Sequence, residues 1–259
     1  MTEPVTLHHV VEGAADAPPV LLGASLGTTY ALWDELAADL ARDFRVVRFD
    51  ARGHGASPAP ASSYTVEGLA LDVVALADTL GIDRFAYVGL SLGGAVGQVL
   101  GIQHGDRLTS LVLCCTGPVF GSPETWQERA NQVRSEGVEG LVEATLERWF
   151  TPDYRKTHPD RVAWVMDMFR ATPPAGYAGC CDALAGYDVS AQLAAITTPT
   201  LVVAGADDPG SPPSVGAAMV ESIPGSRLEV IDDAAHIANV AQPAAFDAAV
   251  RSHLSATAT

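Results

Sequence analysis

Six short apolar runs, at 20–23, 46–50, 85–89, 108–114, 201–205 and 228–231, recur along the chain, most of them closing on Gly, Asp or another small residue. Helix-length segments separate most of them. Runs that are apolar on both alternations are buried on both faces. Strands of that kind fit a parallel sheet covered by helices on both sides, and the chain is read as α/β with a mostly parallel central sheet. Between Glu67 and Leu80 the apolar residues Leu69, Val73, Leu76, Ala77 and Leu80 form a 3.6-period face, and Gly81 stops that helix as a C′ residue would.

The strand pattern lapses between residues 117 and 187. Helical signals replace it, including "VEGLVEATLERWF" and "DRVAWVMDMF", broken by Pro152, Pro159, Pro173 and Pro174. Strands resume at "TPTLVVAG". This predicts an α/β core formed by residues 1–116 and 188–259, with residues 117–187 inserted as an all-helical cap. A chain of 259 residues is long enough for that core and cap, and short for two independent domains.

The formal charge of −16 repels phosphate backbones, which disfavours nucleic acid and anionic membrane surfaces as partners. No apolar run approaches the roughly 20 residues of a membrane span, and the start "MTEPVTLHHVVEG" lacks a basic stretch followed by an apolar one, so a cytoplasmic protein is expected. The cysteines form two adjacent pairs, Cys114/Cys115 and Cys180/Cys181, without zinc-site spacing, and are read as reduced, buried thiols. A homo-oligomer is left open. Seven of the 15 basic residues fall between 118 and 185: Arg129, Arg134, Arg148, Arg155, Lys156, Arg161 and Arg170. That segment is where an anionic small molecule would find positive charge.

"YVGLSLGGAVG" contains Gly89-Leu90-Ser91-Leu92-Gly93 between a predicted strand and a predicted helix. A serine on such a sharp strand-to-helix turn is exposed to attack a carbonyl, and the flanking glycines let the backbones cross closely. Serine is a weak nucleophile at its own pKa, so it requires a base, and the base requires an orienting carboxylate. Both are expected on later post-strand loops, in the order Ser, Asp, His. "TLVVAGADDPG" offers Asp207 and Asp208, and the spacing of "GADDP" favours Asp208. "LEVIDDAAHIANV" offers His236, with Asp232 and Asp233 read as loop-shaping. His8, His9, His104, His158 and His253 have no comparable position. His54, in "DARGHGAS", is read as loop structure, with substrate contact as the alternative.

These residues resemble the α/β-hydrolase superfamily, and within it the 3-oxoadipate enol-lactonases of aromatic catabolism. "FDARGHGAS" and "GLSLGG" are general to the superfamily; "SLGTTYALW", "RWFTPDY", "GYAGCCDAL", "PTLVVAGADDP" and "AAHIANVAQP" carry the closer likeness across nearly the whole chain. The resemblance implies an α/β-hydrolase fold and a cofactor-free, metal-free Ser91–His236–Asp208 hydrolase acting on a small, anionic lactone or ester. Many superfamily members have His-Gly after the strand that precedes the oxyanion loop. Here Ala24-Ser25 stands in that place, so the amides of Leu26 and Leu92 are expected to form the oxyanion hole. Trp126, Arg129, Trp149 and Ser25 are the expected substrate-binding residues. Arg129, Arg134 and Arg148 also suit solvated helix faces beside Glu124, Glu128, Glu143 and Glu147.

Other esterases, lactonases and carbon–carbon bond hydrolases share this triad, as do cofactor-free haloperoxidases and perhydrolases. A non-enzymatic ligand receptor on the same fold is a remoter alternative. Haloalkane dehalogenases and epoxide hydrolases carry an aspartate where Ser91 stands.

Overall fold

The computed structural model describes residues 3–257; residues 1–2 and 258–259, the outer limits of the expected core, lie outside the described residues. The strands are β1 (His9–Glu12), β2 (Pro19–Gly23), β3 (Arg45–Phe49), β4 (Phe85–Leu90), β5 (Leu108–Cys114), β6 (Thr200–Gly205) and β7 (Arg227–Ile231), in the sheet order β1-β3-β2-β4-β5-β6-β7. Only β1 runs antiparallel, against β3. Strands β4 and β6 are buried along their whole length, as their unbroken apolar runs predict.

Helices α1 (Asp34–Leu40), α2 (Val66–Thr79), α3 (Leu92–Gln103), α9 (Pro213–Ser222), α10 (Ala238–Ala241) and α11 (Pro243–Thr257) belong to the sheet layers. Between β5 and β6 the chain folds into α4 (Pro123–Glu136), α5 (Val142–Trp149), α6 (Pro152–Thr157), α7 (Pro159–Arg170) and α8 (Pro174–Ala185). Proline opens α4, α6, α7 and α8, where its missing N–H costs no hydrogen bond. The stretch 138–150 is not one helix: Gly140 lies in a 3-10 turn, Glu139–Leu141, ahead of α5. A single bridge between Val119 and Asp188 ties the base of this helical cap. All four cysteines are free and buried. Among the described residues no helix is long and apolar enough to cross a membrane.

One contact sets how closely the cap sits on the core. Gly176, in the first turn of α8, lies against Gly53 in the loop after β3, and a Cβ on Gly176 would fall 2.0 Å from the Gly53 carbonyl oxygen. Backbone cannot yield as a flexible side chain can. Gly176→Ala is therefore expected to cost about 2 kcal/mol, read as a lowered urea midpoint.

On the far side of the core, Asp247 of α11 has a buried Oδ1 without a hydrogen-bond partner. Burial pushes its carboxyl up to about 7, and the charges of Asp39 and Glu35 push the same way against Arg251. A raised folded-state value means that this group's contribution to stability is full below the unfolded value, about 4, and is lost as pH rises through about 7. Partial solvation screens the effect. Asp247→Asn should gain about 1 kcal/mol over the parent at pH 8 and nothing near pH 4, measured by urea unfolding at both values.

Candidate active site

The strand order reverses between β2 and β4: the chain passes from β2 to β3 on one side, then returns across β2 to β4 on the other. Loops at the carboxyl ends of strands flanking such a reversal diverge and leave a crevice. Gly23 of β2 pairs in register with Gly89 of β4. Ser25 and Ser91 thus each lie two residues beyond a paired glycine, with Leu26 and Leu92 following.

Ser91 occupies the turn into α3 with φ 57° and ψ −110°, a strained conformation for a non-glycine residue. Close crossing makes the turn possible, since a Cβ on Gly89 would lie 2.1 Å from the Gly93 carbonyl and one on Gly93 would lie 2.2 Å from that of Gly23. The Ser91 N–H donates to the Cys114 carbonyl at 2.9 Å, and the Thr116 hydroxyl donates to the Ser91 carbonyl at 2.9 Å. Backbone bonds to β5 and its loop therefore hold the serine in place.

The structure brings three of the predicted residues into one relay. Ser91 Oγ lies 2.8 Å from His236 Nε2, and His236 Nδ1 lies 2.8 Å from Asp208 Oδ2. With Nδ1–H donating to the carboxylate, Nε2 is free to accept the serine proton. All three residues are buried. Burial by itself would raise the Asp208 carboxyl, but the His236 ring and the Gly210 and Ser211 amides outweigh it and hold the group below its usual value. Asp207 is exposed and lies outside the relay.

The loop after β2 uses its small and hydroxyl residues internally. Thr28 donates through both its amide and its hydroxyl to the Ser25 carbonyl, at 3.1 and 2.8 Å, and the Gly27 amide donates to His54 Nε2 at 2.9 Å. His54 Nδ1 faces the Arg52 carbonyl, and burial lowers the ring's pKa, so it stands neutral as an acceptor for the loop. The loop-structural reading of His54 fits this bond. Among the described residues, the turn and loop hydrogen bonds here leave the Leu26 and Leu92 amides without a protein acceptor.

Above the relay is a cavity of about 230 Å³ whose lining includes Ser25, Leu26, Ser91, Trp126, Arg129, Arg148, Ser211 and His236. Trp126 and Arg129 reach it as the sequence predicts, with the Arg129 guanidinium 5.0 Å from the Trp126 ring centre. Trp149 does not. It is buried in the cap, edge-on to Phe169 at 5.6 Å between centroids. Its neighbour Arg148, one of the seven cap basics and one whose sequence position also suits a solvated helix face, lines the cavity instead. A spacing signal was available: Arg148 has Ala144, Thr145, Thr151 and Pro152 at the helical neighbour positions, and none is an acid. A larger concavity of about 620 Å³, lined in part by Glu147, Asp153, Asp207 and Asp233, opens nearby; its hydroxyl–imidazole pair, Thr157 and His158 at 2.9 Å, is exposed, and among the described residues no carboxylate is bonded to that ring.

A doubly wound sheet carrying a serine, a carboxylate and a histidine, in that order, on the loops after β4, β6 and β7 defines a class of hydrolase. The chain belongs to the alpha/beta hydrolase fold family, which matches residues 18–159 and 162–243. It is 38% identical to 3-oxoadipate enol-lactonase 2 of Acinetobacter baylyi, over 95% of this chain and 92% of that one. The crystal structure of the enol-lactonase from Burkholderia xenovorans LB400 matches with TM-score 0.94 and 40% identity, covering 96% of both chains. A malate-bound thermophilic esterase from Thermogutta terrifontis matches with TM-score 0.94 and 31% identity, covering 98% of this chain and 94% of that one.

The two adjacent aspartates give a direct test of the relay. Asp208→Ala should lower hydrolytic kcat by about 10³- to 10⁴-fold, whereas Asp207→Ala should stay within about threefold of the parent, in steady-state assays of both variants.

Proposed function

We propose that the protein is a cytoplasmic serine hydrolase that opens 3-oxoadipate enol-lactone to 3-oxoadipate in the breakdown of aromatic compounds. The observation that carries this reading is the Ser91–His236–Asp208 relay at the base of a cavity whose cap wall bears two arginines, in a chain of net charge −16. The similarity to enol-lactonases over almost the whole chain supports the choice of substrate.

Ser91 Oγ attacks the lactone carbonyl while His236 Nε2 takes its proton, and Asp208 holds the ring in the required tautomer and stabilises the imidazolium. The tetrahedral oxyanion accepts from the Leu26 and Leu92 amides; such a donor is typically worth about 10²- to 10³-fold in rate. Collapse breaks the bond between the carbonyl carbon and the ring oxygen. The enol oxygen regains a proton from His236, and tautomerisation to the ketone draws the reaction forward. Water, deprotonated by His236, then releases the acyl group from Ser91. Ser25, Trp126 and Arg129 line the space in which the substrate sits.

A simple carboxylesterase is the second reading, favoured by the likeness to the Thermogutta esterase. The enol-lactone should be turned over with a kcat/KM at least about 10²-fold above that of p-nitrophenyl acetate, and Ser91→Ala should lower both activities by about 10³-fold or more. Equal or reversed preference in parallel assays would replace the lactonase with the esterase.

A further inference from the structure

The two amides that meet the oxyanion belong to peptide units whose carbonyls are gripped in the same way. The Leu26 N–H shares its peptide with the Ser25 carbonyl, and the Leu92 N–H shares its peptide with the Ser91 carbonyl. Both peptides are trans, so N–H and C=O point in opposite directions, and whatever holds the carbonyl aims the amide. The Ser25 carbonyl accepts the Thr28 amide at 3.1 Å and the Thr28 hydroxyl at 2.8 Å. The Ser91 carbonyl accepts the Ala95 amide and the Thr116 hydroxyl, both at 2.9 Å. One backbone amide and one threonine hydroxyl thus stand behind each donor peptide, although one peptide lies in the loop after β2 and the other leads into α3.

Neither hydroxyl is needed to close the local structure. The Thr28 amide already closes the turn in which Gly27 takes φ 82°, and the Ala95 amide already makes the first bond of α3. Both threonines are nonetheless buried, and among the described residues the bond each hydroxyl makes is the one to that carbonyl. Thr116 sits where the first turn of α3 leaves room for it, since a Cβ on Gly94 would stand 2.6 Å from the Thr116 Cβ. A hydrogen bond to a peptide oxygen draws electron density through the conjugated C–N bond and makes the N–H of the same peptide a stronger donor. Such cooperative strengthening amounts to about 10–30% per bond in a low-dielectric interior.

We propose that Thr28 and Thr116 are positioning residues for the reaction: one buried hydroxyl behind each donor peptide fixes its plane and strengthens the amide that meets the oxyanion. Both act through the peptide and not on the reacting atoms. The inference rests on the reading of the Leu26 and Leu92 amides as the oxyanion hole, and it is independent of which ester or lactone is opened.

Thr28→Val and Thr116→Val match threonine in size and replace the hydroxyl by a methyl group. Each carbonyl keeps its amide donor in these variants, so no buried acceptor is left unpaired. Removing an oxyanion donor altogether costs about 10²- to 10³-fold, so weakening one is expected to lower kcat for p-nitrophenyl acetate by about 5- to 20-fold in each variant and about 10²-fold in the double variant, with KM within about twofold of the parent. Thr28→Ser and Thr116→Ser, which keep the hydroxyl, should stay within about threefold of the parental kcat. Phenylboronic acid gives a readout without turnover, because its tetrahedral adduct with Ser91 places a boronate oxygen where the oxyanion stands. Its affinity, measured by calorimetry, should fall in step with kcat. Valine variants with parental kcat and boronate affinity, or serine variants as impaired as the valine ones, overturn the proposal. A crystal structure of the parent boronate adduct tests the reading beneath it: an oxygen on the Leu26 and Leu92 amides keeps the oxyanion hole even where the valine variants are unimpaired, and an oxygen bonded elsewhere removes both.

Discussion

The in-register pairing of Gly23 with Gly89 is the contact on which the site depends. It sits where the strand order reverses, so the loops beyond it diverge and leave a crevice instead of closing over the sheet. The strained Ser91 turn is stable only because backbone passes backbone there, and the Gly93 amide donates to the Ala24 carbonyl across the same gap. A side chain at Gly93 would push apart the two loops that the chemistry needs side by side, one at Gly89 would meet the Gly93 carbonyl inside the turn, and one at Gly23 would meet the Tyr87 hydroxyl. The loop after β3 completes the frame, since Arg52 makes two charge-assisted bonds to buried Asp72 and His54 receives the Gly27 amide.

The relay and the cap wall of the cavity come from different parts of the fold. Ser91, Asp208 and His236 stand on loops after the parallel strands β4, β6 and β7. Trp126, Arg129 and Arg148 come from α4 and α5 in the cap, which meets the core through contacts such as Gly176 on Gly53. A change of substrate can therefore be accommodated in the cap without moving the relay. The cap as a whole is net acidic, with ten acidic residues against seven basic ones between 118 and 185, so positive charge is local to the cavity wall, where Arg129 and Arg148 stand.

The sheet was legible in the sequence because strands buried on both faces leave continuous apolar runs, and the relay because its order and post-strand placement follow from the fold. Asp208 could be separated from Asp207 by its distance from Gly205 alone. The cap was less legible. Which face of α5 meets the cavity depends on how α7 packs against it, and that packing turns Trp149 toward Phe169 and leaves Arg148 facing the substrate space. Nearby Glu143 and Glu147 made Arg148 look solvated, yet they sit five and one residues before it, off the helical neighbour positions. The bond from Gly27 to His54 joins loops 27 residues apart and left no local pattern to read.

Placing arginines beside a relay that depends on a negative carboxylate raises a physical difficulty, since a guanidinium bonded to Asp208 would compete with His236. The structure avoids this by saturation. Asp208 spends one oxygen on His236 and the other on the amides of its own loop, so the nearby Arg148 acts on it only through its field. That field favours the ionised carboxylate, as the relay requires, while the hydrogen-bonding edge of Arg148 remains available. A bound anion would partly cancel the same field and restore the attraction between Asp208 and the imidazolium as His236 becomes charged. The charge of an anion in the cavity and the charge of the relay would thus be coupled through one arginine, although Arg148 shares no hydrogen bond with Asp208.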